Sequence, residues 1–221
     1  MSALPTSSVE DDVFTSTGVG YATSTDDCVG DEGNHAEANG VDLVCVRYTV
    51  ADVDAFAEAA YRDLTPQDVS KALKKGISVN GRHSRLGFCA LHRAVLRKYC
   101  ELVRKLLEVG ADANIQDFQG RTVAWYAAVW STAEILQLVI HDKGVNINVA
   151  DHERETPLIA LVQESNGDAA ARLKVLLAHP DLDLDATCGG KTAEQWAVHA
   201  SHDSLAAMIA EERARRAADS C

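Results

Sequence analysis

Between residues 90 and 107 the apolar side chains fall at helical spacing. Leu91, Ala94 and Val95 share one face, and Leu102, Val103, Leu106 and Leu107 share another. This pattern predicts a helix, a short turn, a second helix and then a glycine-containing exit. Gly110 stands just after the second helix, where a left-handed residue closes the last turn, and Gly76 holds the same place one unit earlier. Thr65-Pro66 and Thr156-Pro157 read as helix starts: an N-cap hydroxyl, then a proline at the first helical position, where the missing N–H is harmless. One such helix pair cannot bury its apolar face alone. Stacked neighbours can, so the pattern predicts a solenoid.

The phrases also repeat. Asn80, Asn114 and Asn148 recur every 34 residues and close LKKGISVN, LLEVGADAN and VIHDKGVNIN. Upstream, GFCALHRA, GRTVAWYA, RETPLIAL and GKTAEQWA align on Cys89, Thr122, Thr156 and Thr192 at spacings of 33, 34 and 36. These phrases resemble the ankyrin repeat, G-x-T-P-L-H-x-A followed by V-x-x-L-L-x-x-G-A-x-x-N. The match runs in register through Gly87, Leu91, His92, Ala94, Val103, Leu106, Leu107, Gly110, Ala111 and Asn114.

The resemblance covers about residues 50–216 and implies an all-α fold: an ankyrin-repeat solenoid of stacked helix-turn-helix units with finger turns. The expected organisation is a disordered acidic tail (1–46), an ankyrin-repeat domain (47–216) and a C-terminal tail (217–221). Five units are expected, at about 50–80, 81–114, 115–148, 149–185 and 186–216. The first replaces T-P-L-H with Ala55, Phe56, Ala57 and Glu58, and the last carries Glu194 and Gln195 at the Leu-His pair, as suits capping units. Trp125 and Ile159 stand where the family has His, so the Thr and His hydrogen bonding between repeats is expected to be incomplete. The fourth unit inserts about three residues within 163–170 and exits through His179-Pro180, which points to low local stability there.

Charge adds a second layer. Thirty-three acidic against 21 basic residues give −12, which argues against a general nucleic-acid coat or an anionic-membrane binder. Nine of the acidic residues lie in 1–46, which has no Lys or Arg, is rich in Ser, Thr and Gly, and lacks periodicity; such a segment cannot offset its ordering entropy by burial. Residues 71–121 hold eleven basic and four acidic side chains, whereas 122–210 hold five and twelve. Two readings of this polarity stand: solvated faces, or a basic surface for an acidic segment. The tail likewise reads as solubilising or as a competitor for that surface, with Ser7 and Ser8 resembling acidophilic-kinase sites.

Six scattered cysteines without a CxxC pair make neither a disulfide framework nor a zinc ribbon, and Cys89 and Cys100 fall where small apolar residues pack. No apolar run reaches the roughly 18 residues of a membrane helix, and the start shows no signal-peptide pattern and no Gly at position 2. The expectation is an intracellular protein, cytoplasmic or nuclear.

The sequence shows no GxSxG, Walker A, HExxH, dinucleotide or kinase signature, so no catalytic residue, metal or cofactor is assigned. His83, Cys89, His92 and Cys100 lack the spacing of a zinc finger, and His199, His202 and Asp203 read as solvated capping residues. The resemblance implies a non-enzymatic interaction module, an adaptor or scaffold binding a protein partner through finger tips and the concave helix face. Two alternatives are a regulatory inhibitor of a partner enzyme, with the acidic tail as modulator, and a substrate-recognition subunit of a larger enzyme. Carried over by position, the candidate partner-binding residues are Arg85, Leu86, Phe88, Leu96 and Arg97, then Phe118, Gln119, Arg121 and Trp130, then His152 and Glu153. A large aromatic at a solvated tip, Phe118, has no evident folding reason; Trp130 either packs between repeats or is exposed. The expected partner is an acidic or amphipathic protein segment, with no nucleic acid or membrane, and the chain is expected to be a monomer. Asn80, Asn114 and Asn148 occupy a position that oxygenases hydroxylate in some members; the other reading is a side-chain hydrogen bond within the turn.

Overall fold

The computed structural model describes residues 50–62 and 64–219. The acidic segment 1–46, with Ser7 and Ser8, lies outside the described residues. Thr65 and Thr156 start helices as expected, and three more threonines do the same. Thr122, Thr132, Thr156 and Thr192 each accept a hydrogen bond from the backbone N–H three residues on. Thr65 does the same for Asp68, whose carboxylate returns to the Thr65 N–H. The Thr65 hydroxyl also donates to that carboxylate at 2.7 Å, and this bond, with Lys71 and the Thr65 N–H alongside, holds the Asp68 carboxyl down at about 2.

The elements so defined come in pairs: α1 (Val50–Arg62) with α2 (Pro66–Lys74), α3 (Ala90–Leu96) with α4 (Cys100–Glu108), and α5 (Val123–Trp130) with α6 (Ala133–Ile140). Two more pairs follow, α7 (Pro157–Glu164) with α8 (Ala169–Leu177) and α9 (Ala193–His199) with α10 (Asp203–Asp219). First helices stack on first helices and second on second, giving two helical layers with the apolar side chains between them. Finger turns link successive pairs. The last finger is a two-stranded antiparallel ribbon, β1 (Thr187–Cys188) with β2 (Lys191–Thr192). Because α10 runs on to Asp219, residues 217–219 are helical and not part of a tail.

Two sets of polar contacts join the pairs. The first is an asparagine ladder. Asn80, Asn114 and Asn148 accept from the N–H of Asp112, Asn146 and Asp183 at 2.8, 2.8 and 2.9 Å. Their amide N–H groups donate to the carbonyls of Gly110, Gly144 and Asp181 at 3.4, 2.9 and 2.7 Å. The turn hydrogen bond expected of each asparagine side chain is present, and it runs between turns. These amides reach the next turn along, 30 to 35 residues away, which explains their period. Asn114→Ala removes one donor and one acceptor at a partly solvated site and is expected to cost about 1–2 kcal/mol. Asn114→Asp, which keeps the acceptor, should lie between it and the parent in a thermal melt. Equal Tm values for all three would contradict the ladder's role.

The second set was not foreseen. The last carbonyls of a helix lack intrahelical donors, and here a side chain from the following helix pair supplies them. Ser131 Oγ donates to Val95 O at the end of α3 (3.2 Å), adding to the Lys98 N–H there, and His202 Nδ1 meets Val162 O near the end of α7 at 2.8 Å. His202 is thus half-buried and bonded to its neighbour, a correction to the solvated role expected for it. At the end of α5 the donor is Arg172, only 2% exposed, which bonds Ala128 O at 2.8 Å and also Val129 O. Its other terminal nitrogen holds Asn166, inside the expected insert, through the backbone carbonyl and through Oδ1 at 2.9 Å. Arg172 thereby ties Asn166 to the end of α5. Arginines of α10 add further ties to the preceding pair and its finger: Arg216 donates to the carbonyls of Leu177, His179 and Leu182, and Arg213 pairs with Asp185 and Glu194.

Candidate interaction surface

The fingers are built around one position that recurs every 34 residues, held by His83, Asp117, Asp151 and Asp185. At Asp117 one carboxylate oxygen accepts from the N–H groups of Gln119 and Arg121, at 2.8 and 2.9 Å. At Asp151 the donors are Glu153 and Glu155, at 3.0 and 2.9 Å. The second oxygens tie the fingers to what lies beside them: Tyr126 OH donates to Asp117 at 2.7 Å, and Arg121 Nε donates to Asp151 at 3.4 Å. Burial, with Asp117 alongside, pushes the Tyr126 phenol well above its ordinary range. The first finger is anchored differently: Asp54 of α1 takes the Ser84 N–H and hydroxyl at 2.7 and 2.5 Å.

The candidate residues separate into three groups. Phe88 and Arg121 belong to a packed network and not to an open adhesive face. Phe88 stacks on His92 and meets Tyr126 edge-on, with the Arg93 guanidinium 5.1 Å from its centroid. Arg121 lies 4.3 Å from the Trp125 ring centroid while bonding Asp151. Trp125 fills the place of the family's histidine, fully packed, and its indole N–H has no hydrogen-bond partner among the described residues.

The second group occupies the finger tips: Arg85, Leu86, Phe118, Gln119, His152 and Glu153 are all exposed. Phe118 is 52% exposed and Leu86 45%, so apolar surface is open on two successive fingers. Phe118 does have a folding contact, contrary to expectation. Gly87, with a positive φ of 71°, lets it approach so closely that a Cβ there would sit 2.8 Å from the Phe118 nitrogen, and Arg82 lies 5.3 Å from the ring. One side of the ring is thereby fixed and the other is presented. His152 docks on Gly120 in the same way, its N–H donating to Gln119 O at 2.9 Å. Behind the first tip, Glu58, His83, Arg85, Leu86 and Arg93 line a cavity of about 520 Å³.

The third group, Leu96, Arg97 and Trp130, sits at the far ends of α3 and α5. Eight residues of helix separate Thr122 from Trp130, a rise of roughly 12 Å. Trp130 is 43% exposed. It cannot be part of the finger-tip patch, so the candidate residues fall on a tip patch and a separate helix end and do not form one surface. The missed residues are Asp117, Asp151 and Arg82; the 34-residue spacing of the acidic positions was the signal available for the first two.

No three His, Cys, Asp or Glu side chains among the described residues are placed to hold a metal ion. Cys89 Sγ lies 3.0 Å from His92 Nδ1, but Cys100 is turned to Glu134 instead. No helix among the described residues is long and apolar enough to cross a membrane.

With paired helices, finger turns and the asparagine ladder established, the comparisons agree with the architecture. The family described as "Ankyrin repeats (3 copies)" matches residues 56–151. The chain is 33% identical over 97 residues to the Neurogenic locus Notch protein of Drosophila melanogaster, which covers 44% of this chain and 4% of that protein. It is 32% identical over 158 residues to Neurogenic locus notch homolog protein 1 of Homo sapiens, covering 68% of this chain and 6% of that one. This chain belongs to the ankyrin-repeat proteins. The matched stretches are only 4–6% of those relatives' lengths. The family is in general a non-catalytic protein-interaction module.

Proposed function

We propose that this chain is an adaptor or scaffold that docks a protein partner on its finger tips. One observation carries this reading: Leu86 and Phe118 expose apolar surface on two successive fingers whose backbones are pinned by Asp54 and Asp117. A rigid aromatic whose far side is already packed loses little entropy on binding, and aromatic side chains next to arginine are common interface anchors. Arg82, Arg85, Gln119 and His152 supply a polar rim.

The test is a comparative pull-down, with captured proteins identified by mass spectrometry, using the parent and the Leu86→Ser, Phe118→Ala double variant. Both side chains are about half exposed, so the variant should fold with a Tm only a few degrees lower. Proteins captured by the parent should be depleted at least tenfold by the variant. Undiminished capture would remove the finger tips as the docking site. An activity assay on a captured enzyme then separates an adaptor, which leaves its rate unchanged, from an inhibitor, which lowers it.

A further inference from the structure

The strip made by the finger turns and the first helices changes character from one pair to the next. Over residues 81–99 it holds Arg82, Arg85, Arg93, Arg97 and Lys98 and no carboxylate. Over 115–132 it holds one acid and one base, Asp117 and Arg121, and four aromatic side chains, Phe118, Trp125, Tyr126 and Trp130. Over 149–164 Asp151, Glu153, Glu155 and Glu164 outnumber Arg154. Internal ties remove some of these: Arg93 pairs with Glu58, and Arg121 with Asp151. At the tips this leaves Arg82 and Arg85 exposed on one finger, Phe118 on the next, and on the third exposed Glu153 and half-buried Glu155 with exposed Arg154 between them, a net acidic tip.

We propose that this strip binds one extended partner segment in a single direction, its acidic end over Arg82 and Arg85, an apolar side chain against Phe118, and its basic end over Glu153 and Glu155. The inference rests on the docking reading above and adds the chemistry and order of the partner. Stacked helices lie about 10 Å apart, so the first and third of these fingers are separated by roughly 20 Å. An extended chain covers that distance in about six residues. Each end also repels the wrong end of the segment, so the reversed orientation is disfavoured as well as the intended one favoured. The carboxylates already crowd one another: burial pushes the Glu155 carboxyl up, and Asp151 and Glu153 push in the same direction. A cation seated there would offset that repulsion.

The experiment pans a random 16-residue peptide display library on the full chain, on Arg85→Glu and on Glu153→Lys. Both side chains are exposed, so neither change disturbs the core. Peptides enriched on the parent should carry Asp or Glu near one end and Lys or Arg about six residues away, with an apolar residue between. Arg85→Glu should lose the acidic preference alone, Glu153→Lys the basic preference alone, and each should weaken an enriched peptide by roughly tenfold. Enriched peptides without this order, or an order unchanged in both variants, would overturn the inference. If such peptides still require Phe118, the docking surface stands and only the directional claim fails. If they ignore Phe118, or none is enriched, both fail. A second copy of the chain is the other occupant such a strip could take, pairing basic finger with acidic finger. Sedimentation velocity at low salt tests it: a dimer in the parent that Arg85→Glu dissociates would overturn the proposal in favour of self-association.

Discussion

Arg172→Ala is expected to destabilise the chain by about 3–5 kcal/mol, the largest effect of any single substitution considered. The guanidinium is buried and donates to four backbone carbonyls, Ala128 and Val129 at the end of α5, Asn166 in the loop before α8, and Asp168 at the start of α8. Burial lowers the Arg172 pKa from its very high ordinary value, so part of the desolvation cost is recovered when the side chain is removed. The balance is decided by what stays behind. Two carbonyls at the negative end of a helix lose a cationic donor, and the loop loses its anchor. Charge-assisted bonds of this kind contribute roughly 1.5–3 kcal/mol each, which outweighs the recovered solvation.

At 2–4 °C per kcal/mol for a chain of this size, Tm should fall by about 10–15 °C. Arg172→Met keeps most of the stem's packing and should recover only part of the loss. Arg172→Lys should also be intermediate, because a point charge cannot span α5 and Asn166 together. Amide exchange gives an independent readout. In the parent, residues 160–185 should be protected comparably to 90–110, and in Arg172→Ala the first segment alone should open. A variant melting within 2 °C of the parent would exclude the role assigned to Arg172.

Arg172 also shows where reading the sequence stops. The helix pairs were legible because their determinants are local: a threonine cap, an apolar stripe at 3.6-residue spacing and a left-handed glycine lie within a dozen residues of one another. The asparagines were visible through their period, but not their partners, because a 34-residue repeat is the same whether the amide bonds its own turn or the next. Arg172 had no signature at all. On an amphipathic α8 it reads as one more polar residue, and only the placement of α5 beneath it makes it a cap. The candidate surface divides the same way. Exposure of Leu86, Phe118 and His152 follows from their turn positions, whereas Phe88 and Arg121 were misjudged because Tyr126 and Asp151, brought up by folding, claim them.

Acidification should weaken this fold well before its carboxylates titrate, and His92 is the reason. Its ring is fully buried, with Nδ1 3.3 Å from the Cys89 N–H and 3.0 Å from the Cys89 sulfur, and with Nε2 3.4 Å from Arg121 O. A neutral imidazole carrying its proton on Nε2 satisfies all three contacts; a cation would leave the Cys89 N–H facing another donor. Burial holds the His92 pKa down to about 4 from 6.5, outweighing the opposite pull of the Arg121 carbonyl and Asp117, while Arg82 and Arg93 add to the lowering. The unfolded chain therefore takes up a proton near pH 6.5 that the folded chain refuses until about pH 4. Stability from this residue is complete above that upper value and is lost as pH falls between the two. The loss amounts to about 2 kcal/mol at pH 5 and approaches 3 kcal/mol at pH 4. Glu155, whose pKa is raised by burial, works in the opposite sense, so the clean measurement is a difference. Denaturant melts of the parent and of His92→Gln should be compared from pH 7.5 to 5. The variant should be less stable at pH 7.5, and the gap should close by about 2 kcal/mol at pH 5, since glutamine has no proton to gain. Parallel curves across that range would show that the buried imidazole does not set the acid sensitivity of the repeat stack.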